Sequence, residues 1–338
     1  MERILITGGA GFIGHHLVSK LLPQRPYRII VIDNLSTGRN QSQFGDEGKS
    51  VTNSAHLSFY EEDILNTDRI FKIFKREGID TCIHLAAKTS FLESITDPYC
   101  NVDVNIIGTL NVLEACSKHA VKNFIFASSA AVYGEPQKLP ISEQDPLCPL
   151  SMYGASKVAG EALVSSYRNT GKVKNAISLR IFNVYGQGQN INYAGVITAF
   201  IERLSKRLPP IIYGDGTQTR DFVSVHDVVD AIILAAKQFD RERKTSIQSS
   251  PSAFNIGTGT QVSITDLAMK MIKLFGLDLN PLYCDRISNE DIRRSCADIS
   301  ISKKNLKFNI TRNLDEGLIE ILSSLDSHAD VDTKGIQP

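Results

Sequence analysis

Arg3-Ile4-Leu5-Ile6-Thr7-Gly8-Gly9-Ala10-Gly11-Phe12-Ile13-Gly14 decides the fold. Its first four residues are a short, mostly apolar run with the length of a buried strand. A glycine-rich turn follows, then a helical pattern through Phe12, Leu17, Val18, Leu21 and Leu22. Gly8, Gly11 and Gly14 are spaced G-x-x-G-x-x-G, and Gly9 keeps the turn open. Strand, tight turn and helix in this order bring backbone N–H groups against a pyrophosphate. The stretch predicts a dinucleotide loop, with Gly8, Gly11, Phe12, Ile13 and Gly14 at the cofactor.

Arg28-Ile29-Ile30-Val31-Ile32 predicts a second buried strand, with Asp33 at its end. Asp33 follows Gly11 by 22 residues. From that place a carboxylate hydrogen-bonds the adenosine ribose hydroxyls. It would also repel a 2′-phosphate, so the spacing predicts NAD over NADP. Arg39 lies nearby and is able to accept such a phosphate.

Further strands are expected at residues 57–60, 81–85, 123–127 and 176–181, with helices from about 104 to 118 and from Tyr153 to about 169. This alternation predicts an α/β fold, a Rossmann-like, doubly wound parallel sheet. Ligands of such sheets bind beyond the carboxyl ends of the strands. Gly8, Asp33, Asp63, Ala86, Ser128 and Ser129 all fall at such ends. Residues 34–56 read as a long surface loop. After residue 181 the pattern becomes irregular, with helices expected again at about 263–275 and 314–325. A nucleotide-binding domain is expected over 1–180, with return segments at about 222–256. A smaller C-terminal α/β substrate lobe takes 181–221 and 257–325. Residues 326–338 are polar and expected to be disordered.

Composition excludes several classes. The chain has 338 residues, and 37 Lys+Arg balance 37 Asp+Glu, so formal net charge is zero. No basic stripe points to nucleic acid. No apolar stretch approaches the ~18 residues of a membrane span. The N-terminus enters a strand at once, with no room expected for a signal peptide. Cys82, Cys100, Cys116, Cys148, Cys284 and Cys296 form no Cys-x-x-Cys pair. They read as reduced thiols of a cytoplasmic protein, with neither a metal site nor a disulfide frame.

Tyr153-Gly154-Ala155-Ser156-Lys157 places a tyrosine and a lysine one turn apart on one helix face. A nearby ammonium favours the tyrosinate. Moving a phenol from about 10 to pH 7 takes roughly 3 units, or about 4 kcal/mol. A tyrosine tuned in this way serves as general base or acid for a hydroxyl/carbonyl pair. Behind a dinucleotide loop, that is the favoured reading of the pair.

Together these motifs resemble the extended short-chain dehydrogenase/reductases, and among them the nucleotide-sugar 4-epimerases. The resemblance runs from residue 2 to about 325. Besides the loop it includes Asp33-Asn34-Leu35-Ser36-Thr37-Gly38, His84-Leu85-Ala86-Ala87, Ser128-Ser129-Ala130-Ala131-Val132-Tyr133-Gly134, Phe182-Asn183-Val184-Tyr185-Gly186 and Arg220-Asp221-Phe222. It implies Tyr153 as catalytic base, Lys157 as its tuning partner and Ser129 as the hydroxyl on the sugar O4. It implies Asn34, Asp63, Ile64, Leu85, Ala86, Ala87, Asn105, Ser128 and Phe182 at the NAD cofactor. Asn183 and Arg220 would hold the substrate diphosphate. An arginine of the last motif is replaced by Ser288, with Arg286 and Arg293 as candidates to replace it.

The activity so implied is inversion at C4 of a UDP-sugar through a 4-keto intermediate, with NAD reduced and reoxidised in place. A homodimer paired through the two helices at about 104–118 and 153–169 is also implied. Dehydratases and decarboxylases of the family carry an acid after the catalytic Ser/Thr, where this chain has Ala130 and Ala131. Three residues before Asp298 stands Ser295, a small residue where the family's glucose/galactose enzymes resemble one another in carrying Tyr. That points to UDP-N-acetylglucosamine/UDP-N-acetylgalactosamine, with UDP-glucose/UDP-galactose also able to enter. The alternatives are a UDP-glucuronic acid 4-epimerase, or a nucleotide-sugar reductase or dehydrogenase using free NAD(H). A catalytically silent NAD-binding sensor would be expected to lose Tyr153, Lys157 or Ser129.

Overall fold

The computed structural model describes residues 2–24, 27–37, 56–189, 195–245, 251–285 and 292–332. Its first half runs β1 (Glu2–Thr7), α1 (Phe12–Leu21), β2 (Tyr27–Asp33), β3 (Leu57–Glu61), α2 (Thr67–Glu77), β4 (Thr81–His84), α3 (Phe91–Thr96), α4 (Pro98–Val102), α5 (Thr109–Lys118), β5 (Asn123–Ser129), α6 (Met152–Asn169) and β6 (Asn175–Ile181). The second half runs β7 (Asn183–Tyr185), α7 (Val196–Ser205), β8 (Ile211–Tyr213), β9 (Thr219–Arg220), β10 (Phe222–Ser224), α8 (Val225–Thr245), β11 (Ala253–Ile256), β12 (Val262–Ser263), α9 (Ile264–Leu274), β13 (Leu282–Cys284) and α10 (Leu314–Asp332).

Seven strands form one sheet in the order β3-β2-β1-β4-β5-β6-β11, and all pair in parallel. The expected doubly wound α/β sheet is borne out. Strand order reverses between β1 and β4, where Thr7 pairs with His84. A crevice opens there by topology alone. The strands are apolar nearly throughout because helices cover both faces. On one face Leu17 and Val18 of α1 pack with Val228, Val229 and Ile232 of α8. On the other, Ile70 and Phe74 of α2 pack with Val112 and Leu113 of α5 and Val164 of α6. Each such side chain contributes roughly 1.5–3 kcal/mol by leaving water.

A separate apolar cluster joins Phe200 of α7, Ile212 of β8, Leu267 and Met271 of α9 and Leu318 of α10. Short strand pairs β7–β10, β8–β13 and β9–β12 surround it.

The chain departs from expectation in three places. The stretch after residue 181 is not irregular: α7 and the long α8 lie within it. The helix expected from about 104 is preceded by a π-type turn, Asp103–Gly108, continuous with α4 and α5. The tail expected to be disordered from residue 326 is helical through Asp332, since extending an existing helix costs little. Residues 333–338 and 38–55, the latter most of the expected surface loop, lie outside the described residues.

Candidate active site

The cavity at the strand-order reversal has a volume of about 390 Å3. The glycine turn forms one wall. Gly8 adopts φ +69°, and a Cβ there would stand 2.6 Å from the backbone nitrogen of Ala86. Only glycine lets β1 and the end of β4 approach so closely. Gly8, Gly11, Phe12, Ile13 and Gly14 all line the cavity. This cradle, lined by loop backbone with α1 starting behind it, fits a dinucleotide diphosphate.

Asp33 ends β2 in the same wall. Its carboxylate accepts from Ala10 N at 2.9 Å and Leu35 N at 2.8 Å. Burial pushes its carboxyl up, and the N–H groups of Leu35, Ala10 and Gly11 oppose this. So Asp33 also pins the glycine turn, a role that spacing did not reveal. Asn34, Asp63 and Ile64 continue the wall, with Asn34 Nδ2 donating to Asp63 at 2.7 Å. Leu85, Ala86 and Ala87 form the facing side.

Ser129, Tyr153 and Lys157 meet at the far end, beside Ser128, Phe182 and Asn183. Ser151 caps α6 by accepting from Gly154 N at 3.0 Å. A Cβ on Gly154 would lie 2.6 Å from the carbonyl oxygen of Ala131. That contact seats the first turn of α6 against the turn that Ser129 caps. Tyr153 and Ser129 share a hydrogen bond. Lys157 Nζ donates to the Ala127 carbonyl at 2.8 Å and lies 5.8 Å from the Tyr153 ring centre.

The Tyr153 phenol is pushed up, not down, because its surroundings exclude water; the Ser129 hydrogen bond only opposes this. Lys157 is itself pulled down to about 8 by burial, against the pull of Glu161. Its ammonium is bonded to Ala127, not to the phenol.

Asn105 was expected on the cofactor, yet it is buried and absent from the cavity lining. It accepts from Lys88 N at 2.8 Å, donates to Lys88 O at 2.9 Å and donates to Ser156 Oγ at 3.0 Å. It therefore ties the loop after β4 to α6 between Tyr153 and Lys157. Arg220 and Ser295 are also absent from the lining. Ser295 is buried, one residue before Cys296, whose carbonyl accepts from Ile141 N at 2.7 Å. Arg293 is committed to Asp215 at 3.1 Å. Arg39, Arg286 and Ser288 lie outside the described residues. Lys88, Thr89, Gln189 and Gly195 also line the cavity. Sequence reasoning missed them, although Lys88 and Thr89 directly follow the Leu85-Ala86-Ala87 strand end. Among the described residues no cluster suits a metal ion, and no helix is long and apolar enough to cross a membrane.

Residues 4–257 match the model of the NAD dependent epimerase/dehydratase family. The chain belongs to that family. It is 40% identical over 266 residues to a putative UDP-glucose 4-epimerase of Methanocaldococcus jannaschii, covering 78% of this chain and 79% of that one. A UDP-glucose 4-epimerase of Thermotoga maritima, solved with UDP-glucose, superposes with TM-score 0.85 at 33% identity, covering 97% of this chain and 99% of that one. A UDP-N-acetylglucosamine 4-epimerase of Methanobrevibacter ruminantium, solved with UDP-N-acetylmuramic acid, superposes with TM-score 0.84 at 31% identity, covering 97% and 99%. The cofactor of this family is NAD, in agreement with the Gly8–Gly14 turn and Asp33.

Proposed function

We propose that this family member is a UDP-sugar 4-epimerase that retains NAD, and that its sugars include UDP-N-acetylglucosamine and UDP-N-acetylgalactosamine. The observation that carries this is Ser129, Tyr153 and Lys157 gathered at one end of the cavity whose other walls are the glycine turn and Asp33. When bound, NAD supplies the group that accepts and returns the C4 hydrogen with its electron pair.

The protein's own residues do the rest. Ser129 hydrogen-bonds the sugar O4 and orients it toward Tyr153. Tyr153 takes the O4 proton as C4 is oxidised and gives a proton back to O4 once the sugar has turned. Lys157 supplies the positive charge that makes the phenolate accessible. Asn183, in the cavity lining, holds the diphosphate together with Arg220 from outside that lining, so the 4-keto sugar turns while its nucleotide stays fixed. Residues 1–180 with 222–256 serve the cofactor, and 181–221 with 257–325 serve the sugar. Two copies pair about a twofold axis through α5, with the π-type turn before it, and α6, where Ile107 of that turn and Met152 of α6 are exposed.

The choice of sugar rests on the size of Ser295, a residue buried outside the cavity lining. It is small, and a tyrosine ring there would fill the volume an acetamido group needs, at roughly 1–3 kcal/mol or more of overpacking. The test is chromatographic separation of epimers from a panel of UDP-sugars. Wild type is expected to interconvert the N-acetylated pair, and Ser295→Tyr to lose that activity while keeping UDP-galactose. No wild-type activity on the N-acetylated pair, or equal loss on both sugars, removes the assignment of Ser295.

A further inference from the structure

Behind the cavity wall, several elements converge on one buried carboxylate. Glu161 lies one turn beyond Lys157 on α6 and is 7% exposed. It accepts the Ser128 hydroxyl at 2.5 Å. Arg180 of β6, 6% exposed, donates to both its oxygens, from Nε at 3.0 and 3.2 Å and from Nη2 at 2.8 Å. Arg180 Nη1 donates to the Tyr133 hydroxyl and to the Glu143 carbonyl, each at 2.9 Å. Tyr133 donates to Asn255 Oδ1 at 2.6 Å, and Asn255 Nδ2 donates to the Ile141 carbonyl at 2.8 Å. The chain of bonds therefore runs from the cavity wall at Ser128 to the strand segment that pairs with Ala297, two residues from Ser295.

A buried ion pair is weak evidence for stability, because apolar residues of similar shape often serve as well. What this one sits beside explains it better. The Lys157 ammonium is 3% exposed. It faces the Ala127 carbonyl, the Phe126 ring at 4.9 Å and the Tyr153 ring at 5.8 Å. The ionisable groups acting around it are Tyr153, neutral His84 on β4, and Glu161 with its partner Arg180. Of these, Glu161 is the one that favours the ammonium.

We propose that Glu161 is a positioning residue for the reaction: its carboxylate, fixed by Arg180 and Ser128, keeps Lys157 as an ammonium beside Tyr153. The proposal rests on the function above through the role given to Lys157. Burial alone would drive Lys157 toward the neutral amine, which gives no help to a phenolate. Glu161 opposes that loss from one turn away, and Arg180 prevents the carboxylate from swinging onto Lys157 and replacing the Ala127 contact. The Ser128 bond sets the same carboxylate against the cavity wall.

Glu161→Gln removes the charge and keeps the shape. Because it leaves Arg180 buried without its counter-charge, Glu161→Gln/Arg180→Gln is made beside it. Lysine labelled with 13C at Cε is titrated by NMR in the NAD-loaded protein, with the Lys157 signal identified by its loss in Lys157→Arg. The Lys157 midpoint is expected to move to lower pH by about one unit or more in Glu161→Gln, and to lower pH by less in the double variant, where loss of the Arg180 charge offsets part of the fall. The alkaline limb of turnover should move the same way, with activity regained as pH is lowered. A Lys157 midpoint that stays at its wild-type value in a folded variant overturns the proposal, even if stability has dropped. The titration needs no turnover: failure to epimerise any UDP-sugar would count against the function, and an unmoved midpoint against Glu161.

Discussion

Lys157 donates to the carbonyl oxygen of Ala127 at 2.8 Å, across from the α6 helix that carries it to the strand that ends at Ser129. The ammonium is therefore held in place by backbone before any ligand arrives. Its Nζ lies 5.8 Å from the Tyr153 ring centre, and its bond goes to the backbone, not to the phenol. The two side chains should accordingly fail in different ways.

Tyr153→Phe is expected to lower turnover about 10^2- to 10^4-fold, the usual contribution of a positioned acid–base group. Melting temperature and NAD content should stay near wild type, since only a hydroxyl is lost. Lys157→Ala is expected to lose turnover and also to loosen NAD, measured by cofactor content after gel filtration. Near-normal turnover in Tyr153→Phe would contradict the proton-transfer role.

Asp33→Ser removes the carboxylate that accepts from Ala10 N and that is proposed to repel a 2′-phosphate. Two effects are expected together: NADP uptake rises relative to NAD, and total dinucleotide affinity falls as the glycine turn loses its anchor. Exchange of bound cofactor followed by chromatography reads both. Equal uptake of NADP and NAD by wild type would remove the discriminating role of Asp33.

Asn105→Ala should leave Lys88 N–H and Ser156 with one partner fewer inside the protein. Each buried group so orphaned costs about 1–3 kcal/mol. Urea unfolding should show a loss in that range, and NAD should bind more weakly through the shifted Lys88 loop. Unchanged stability would mean that water or a new rotamer replaces the amide.

His84 gives a pH signature. Its ring lies between the hydroxyls of Thr7, at 2.6 Å, and Thr109, at 3.0 Å. Thr109 donates its own proton to the Asn105 carbonyl at 2.6 Å, so it accepts from Nε2–H, and Nδ1 accepts from Thr7. Burial, with the Lys157 charge, pulls His84 down to about 3. Its contribution is full above the unfolded value of about 6.5 and is lost as pH falls toward 3. The expected slope is about 1.4 kcal/mol per pH unit across that window. Urea titrations at about pH 6 and about pH 4.5 should show a smaller difference for His84→Gln by roughly one proton's worth.

The fold was legible because its signals are local. A glycine turn between an apolar run and a helical pattern needs no tertiary knowledge, and neither does the alternation that followed it. Strand ends could be read too, which is why Gly8, Asp33, Asp63, Ala86 and Ser129 fall together on one cavity. What stayed hidden depends on burial. Helix α8 escaped notice because Ala231-Ile232-Ile233-Leu234-Ala235 lacks the polar interruptions of a surface helix, and its Ala231, Ile232 and Ala235 are fully buried. The upward push on Tyr153 could not be seen from its spacing to Lys157, since water exclusion comes from chain segments distant in sequence. Asn105 has the same history: its motif placed it near the cofactor, but only packing showed that it holds Lys88 and Ser156.

The state of the cofactor is the most direct test of a 4-epimerase. Protein purified without added NAD should carry NAD, and it should interconvert UDP-N-acetylglucosamine and UDP-N-acetylgalactosamine to a constant ratio with none supplied. No free NADH should accumulate at 340 nm. Turnover that requires added NAD(H) in proportion to product would contradict the 4-epimerase account and favour a reductase or dehydrogenase built on the same fold.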